Sequence, residues 1–158
     1  MCRIRLLILL LLSLISLISC GYSFVLDKQS PKIRVKLLAS ENRTSLREAG
    51  MILDSHLEKT LSSMDMLSRK APHKTMACSI ISTSHRAITS TSISSDDRYR
   101  LTITVSAEIK DHTGNTIWRS RFTDQGTYAQ GGQEEDALDE ACEEISLQIA
   151  RTVTSLQL

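Results

Sequence analysis

Four cysteines, four histidines and a set of closely spaced arginines are the residues with which this 158-residue chain could do chemistry. His56, His73, His85 and His112 would serve as metal ligands or general bases, but none has a second histidine four positions on, and no H-E-x-x-H occurs. Serine is abundant, yet no Gly-x-Ser-x-Gly turn presents a nucleophile. Gly126, Gly131 and Gly132 do not follow the pattern of a phosphate-cradling loop. A hydrolytic or metal centre is therefore not expected, no cofactor is implied, and the chain is read as a non-enzyme. Arg98 and Arg100 share the polar face of one strand, and Arg119 and Arg121 share a face of the next. Adjacent strands would bring such guanidinium forks together, and a fork suits phosphate. Ordinary solvated charge on a sheet face is the plainer alternative.

Cys20 has the most specific surroundings. Met1 to Arg5 is a short basic start, and Leu6 to Ile18 is uncharged, with only Ser13 and Ser16 as polar interruptions. Leu17-Ile18-Ser19-Cys20-Gly21 follows, so a basic region, an apolar region and a small residue before the cut describe a secretory signal. Cysteine after Leu-Ile-Ser resembles the bacterial lipobox, in which the thiol is diacylated and the cysteine becomes the new, further acylated N-terminus. An uncleaved anchor is the competing reading, but Ser19-Cys20-Gly21-Tyr22-Ser23 is too polar for the second half of a spanning helix. The expected division is signal peptide 1–19, lipidated terminus and tether 20–32, and a folded domain 33–158. Gly21 in place of the aspartate that retains lipoproteins at the inner membrane implies outer-membrane sorting.

Cleavage would also remove Arg3 and Arg5, leaving 17 basic against 18 acidic residues. That balance offers no field for nucleic acid, so any basic site must be local. In an exported chain Cys78 and Cys142 meet oxidising conditions. A disulfide between them is one reading, and two buried thiols acting as small hydrophobes is the other.

The elements that must position these groups are legible from periodicity. Ile33, Val35, Leu37 and Ala39 alternate with polar residues, as in a half-buried strand. Glu41 to Thr44 reads as a turn, and Ser45 with Glu48 as a capping box for a helix with Leu46, Ala49, Leu53, Leu57 and Leu61 on one face, flanked by Ile52 and His56. That helix should fade near Ser62-Ser63, with Pro72 barring continuation. Met76 to Ile93 is a β-branched stretch whose apolar phase slips, which predicts a bulge or a weakly buried stretch. Ser94 to Asp97 is a turn. Tyr99 to Ile109 alternates cleanly as a two-faced antiparallel strand. Asp111 to Asn115 is a hairpin turn, Thr116 to Phe122 a return strand and Gln125 to Gln133 a loop. A helix then runs from the acidic Glu134-Glu135-Asp136 to the chain end, with Leu138, Ala141, Cys142, Ile145, Ile149, Val153 and Leu156 as its stripe. The order βαβββα predicts an α+β two-layer sandwich: a four-stranded, mainly antiparallel sheet with both helices on one face.

Together these pieces resemble the LPS-assembly lipoprotein family LptE. The likeness rests on Leu17 to Phe24, with Cys-Gly followed by an aromatic residue. It continues through the strand Ile33–Ala39, Glu41 to Thr44 before the first helix, and Arg98-Tyr99-Arg100-Leu101 opening the alternating strand. Asp111 to Trp118 and the acidic start of the last helix complete it. The resemblance implies an outer-membrane lipoprotein seated in the lumen of the LPS-translocating barrel LptD. There it would plug the barrel, assist its assembly and contact lipopolysaccharide. Better-known members carry basic residues near the turn between the second and third strands and before the last helix. Ser92 and Gly131-Gly132 occupy those neighbourhoods here, so LPS contact is assigned only to Arg98 and Arg100, from their shared face. The alternative of another class is a free-standing periplasmic ligand-binding or structural lipoprotein.

Overall fold

The computed structural model describes residues 33–68, 74–88 and 98–156. The signal peptide, Cys20 and the tether, Pro72, His73, Ser92 and the turn at 94–97 lie outside the described residues. Among those described, no helix is long and apolar enough to cross a membrane.

Two short strands, β1 (Lys36–Leu37) and β2 (Glu41–Asn42), precede helix α1 (Ala49–Ser63). Three long strands follow, β3 (Lys74–Ile88), β4 (Arg98–Asp111) and β5 (Thr116–Ala129), and then helix α2 (Glu134–Ser155). β3, β4 and β5 form an antiparallel meander, while β1 and β2 both pair parallel to β3. The fold is the expected α+β sandwich with a mixed sheet. Of the strand expected over 33–39 only Lys36–Leu37 forms β1, and Glu41–Asn42, expected to open a turn, pairs with the sheet as β2. Between them the Ser40 amide leaves the sheet to donate to both carboxylate oxygens of Asp54 on α1, each at 3.1 Å. Parallel pairing of the first segment with β3 needs a crossover, which α1 supplies.

Alternation in β4 is complete: Leu101, Ile103, Val105, Ala107 and Ile109 are buried, and the even positions face the open side. They meet Met76, Cys78 and Ile80 from β3, and Leu53, Leu57, Leu61, Ile145, Ile149 and Val153 from the helices, in one core. Each such aliphatic side chain contributes about 1.5–3 kcal/mol by leaving water.

Local expectations fared differently at the helix ends. Glu48 itself occupies the cap position of α1 without a side-chain cap bond, so the Ser45–Glu48 capping box does not form. The Asn42 carboxamide organises the entry instead, accepting from the Thr44 amide at 3.0 Å and donating to the Leu46 carbonyl. At the other end the helix stops on its own. Asp65 adopts φ 55°, and the Met66 amide reaches back to the Leu61 carbonyl at 2.8 Å, a Schellman-type stop that comes before Pro72 in the chain.

The bulge predicted in β3 falls between Ile80 and Ser82, where the register slips by one. The hairpin is as expected: Gly114 at φ 88° turns the chain, and the Asp111 carboxylate accepts from the Thr113 and Asn115 amides at 2.8 and 3.0 Å. β5, however, does not end at Phe122. It continues to Ala129, so Gln125 to Ala129 is strand rather than loop. The reason is Gly126, which is buried where α2 crosses the strand.

Candidate functional site

Both helices cover one face of the sheet, so the other face is the surface on which polar side chains from β3, β4 and β5 meet. Arg98 and Arg100 project from β4, and the structure adds a residue that the pattern did not: Arg86 of β3 lies directly opposite Arg100. Arg86 and Arg98 are exposed and Arg100 is half-buried. Like charges directly opposite each other weaken a strand pair. An arrangement that tolerates that repulsion becomes favourable when an anion sits between the forks.

Arg86 owes its place to the bulge. Before it, the even residues of β3 face the core; after the extra residue at Ile81, Ser82, Ser84 and Arg86 pair with the outward Thr104, Thr102 and Arg100. Uninterrupted alternation would have put Arg86 under the helices.

Arg119 and Arg121 do share the open face, but at the opposite end from Arg98 and Arg100. Arg119 stands opposite Glu108 and donates to it at 2.6 and 3.1 Å, and Lys110 pairs with the same carboxylate at 2.8 Å. Hydrogen bonds from Lys110 and then Arg119 hold the Glu108 carboxyl below the usual carboxylate range. Arg43 does the same for Glu41 across 2.8 Å. These groups line a cavity of about 490 Å³ together with Ser79, Ile81, Ser106 and Arg121.

A carboxyl with a lowered folded pKa stabilises the fold above the ordinary carboxylate range, and that contribution is lost as pH falls through the folded value. Glu108→Gln is therefore expected to lower stability by about 1 kcal/mol near pH 7. The gap between the urea midpoints of the two proteins should close as pH falls below the ordinary carboxylate range. A gap independent of pH would show that Glu108 acts through packing alone.

Cys78 and Cys142 are free, buried thiols with no disulfide between them, and burial pushes each thiol pKa up to about 12. His56 pairs with Asp139 at 2.7 Å, linking the two helices. His85 lies 3.1 Å from Glu134 and 3.4 Å from the Tyr128 hydroxyl. His112 is exposed in the hairpin. Among the described residues, no three His, Cys, Asp or Glu side chains are grouped to hold a metal.

Charge is divided between the two layers. Helix α2 presents Glu135, Asp136, Asp139, Glu140, Glu143 and Glu144 to solvent, whereas the open sheet face carries Arg86, Arg98, Arg100, Lys110, Arg119 and Arg121, with the carboxylate of Glu108 on β4 among them. Near-zero net charge hides this separation.

The family described as LptE, lipopolysaccharide-assembly, matches residues 34–153. Among solved structures, the fold is shared with a minor lipoprotein of Acinetobacter baumannii, 18% identical, with TM-score 0.52 over 78% of this chain and 93% of that one. It is also shared with a hypothetical protein of Chlamydia trachomatis, 13% identical, with TM-score 0.52 over 77% and 96% of the two chains. A PelC dodecamer subunit of Paraburkholderia phytofirmans is 14% identical, with TM-score 0.50 over 78% and 89%. No curated protein sequence matches.

Proposed function

Because this chain belongs to the LptE lipopolysaccharide-assembly family, we propose that it is an outer-membrane lipoprotein, anchored through Cys20, that seats in and plugs an LptD-like translocon barrel. In that role it assists barrel assembly and the insertion of lipopolysaccharide into the outer leaflet, without a catalytic step. The family match, which runs from Arg34 in the first strand region to Val153 near the end of α2, is the observation that carries this reading. The sheet's open face supports it. A barrel lumen is polar, and a surface of Ser, Thr and Arg side chains needs no apolar partner to be satisfied there. Phosphate groups of lipopolysaccharide are the anions proposed for the Arg86, Arg98 and Arg100 forks.

The experiment is affinity isolation of the tagged full chain from outer membranes in mild detergent. A large β-barrel protein should co-elute in constant ratio, recognisable by its heat-dependent mobility. If the acylated chain elutes alone, without such a barrel, the partnership is wrong and the free-standing lipoprotein takes its place.

A further inference from the structure

We propose that the groove at the Arg121 end of the open face binds a saccharide that carries one anionic group, of the uronic acid type. The proposal goes beyond the barrel-partner reading and does not rest on it, because the groove needs neither the barrel nor the acyl anchor.

Three features of the groove select this ligand. The first is its charge. Glu41 is paired with Arg43, and Glu108 with Lys110 and Arg119. Arg121 is the charged lining group for which no partner is found among the described residues. One guanidinium fork is thus open to a single carboxylate or similar anion. A phosphate-dense polyanion fits less well, since it would have to lie against both Glu41 and Glu108.

The second feature is alignment. Ser79, Ser106 and Arg121 stand in one row across β3, β4 and β5, and Glu41 extends the row onto β2. Strand spacing makes the step from Ser79 to Arg121 about 10 Å, so hydroxyl partners and the anion site are spread along a path longer than one sugar ring. A volume of about 490 Å³ is in the range of pockets that hold small-molecule ligands.

Ile81 is the third. It is the extra residue of the β3 bulge, half-buried and lining the groove among polar neighbours. Bulges re-aim side chains in this way, and a lone aliphatic surface beside hydroxyls and charges matches a pyranose ring, which has a C–H face and a hydroxyl rim.

The test is calorimetric titration of the full chain, purified in detergent micelles, with aldotriouronic acid (xylobiose bearing a single 4-O-methylglucuronate), neutral xylotriose and inorganic phosphate. Aldotriouronic acid should bind, xylotriose at least about tenfold more weakly, and phosphate not measurably. Arg121→Ala should weaken aldotriouronic acid binding about tenfold or more, and Arg121→Lys should recover part of the loss. Arg151→Ala, on the helix layer, should change nothing. Arg121 is exposed, so its variants should keep the parent urea midpoint, which separates lost binding from lost folding. Failure of aldotriouronic acid to bind at millimolar concentration, phosphate binding of equal strength, or full binding by Arg121→Ala would each overturn the proposal. Co-elution of the barrel is unaffected by any of these results, so the two readings fail separately.

Discussion

Gly126→Val should abolish cooperative folding, the largest stability effect expected of any single substitution in this chain. Gly126 lies within β5, opposite Leu101, where the first turns of α2 pass over the strand. A Cβ at this position would lie 2.6 Å from the Ala137 Cα and carbonyl carbon, and closer still to the Ala137 carbonyl oxygen. These are backbone atoms of a helix held down by Leu138, Ala141, Cys142 and Ile145, so they cannot move aside as a flexible side-chain tip would. The clash is relieved only by lifting α2 from the sheet, which would break the bond from the Thr127 amide to the Glu140 carboxylate and open the core along β4 and β5. Alanine should cost about 3 kcal/mol, and valine enough to exhaust the roughly 5–15 kcal/mol available to a domain of this size. Urea unfolding followed by circular dichroism measures both. Gly114→Ala is the contrast: nothing lies within 4 Å of its added Cβ, and the strain is that of φ 88° alone, about 1 kcal/mol. If Gly126→Val unfolds with the parent midpoint, the close approach of α2 to β5 is not a structural requirement.

The second large effect concerns attachment rather than folding. With Cys20→Ala there is no thiol to receive the diacylglyceryl group, and the step that exposes a new amino terminus for the further acyl chain does not follow. A protein with one acyl chain binds membranes marginally and reversibly, whereas two or more hold it stably, at about 0.8 kcal/mol per buried methylene. Cys20→Ala should therefore incorporate no labelled palmitate, keep residues 1–19 as a precursor of higher mass, and disappear from the outer-membrane fraction by more than about tenfold. Its folded domain should keep the parent urea midpoint, since the core among the described residues runs from Ile33 to Val153. Palmitate incorporation by the variant, or its undiminished recovery with the outer membrane, would remove the lipid anchor from the proposed function.

How much of this was legible beforehand depended on how far each inference had to reach along and across the chain. The alternation of β4 is a property of one segment, and it gave every inward residue from Leu101 to Ile109 correctly. The stripe of α2 from Leu138 to Val153 was equally local. So was the phase slip in the third strand, which pointed to a bulge before any partner strand was known. Capping was less readable. Ser45 and Glu48 have the spacing of a capping box, but the Asn42 carboxamide takes over the entry to α1, and the pattern could not show that the competing bonds would win.

The composition and periodicity of the chain thus determined a two-layer α+β body with one apolar face per element. The same reading located Arg98 and Arg100 on one outward face. Only the tertiary structure decided what stands beside them. Arg86 joins Arg100 because one extra residue at Ile81 reverses the faces of the rest of β3, and Arg121 joins Ser79 and Ser106 through a register fixed across three strands. Gly126 read locally as a loop residue, although its role is to let the helix backbone at Ala137 lie against the sheet. The physical reason is common to all three. Which side chains share a face is set by hydrogen-bonded pairing between distant segments, and a single inserted residue inverts that answer without altering the local pattern of hydrophobicity.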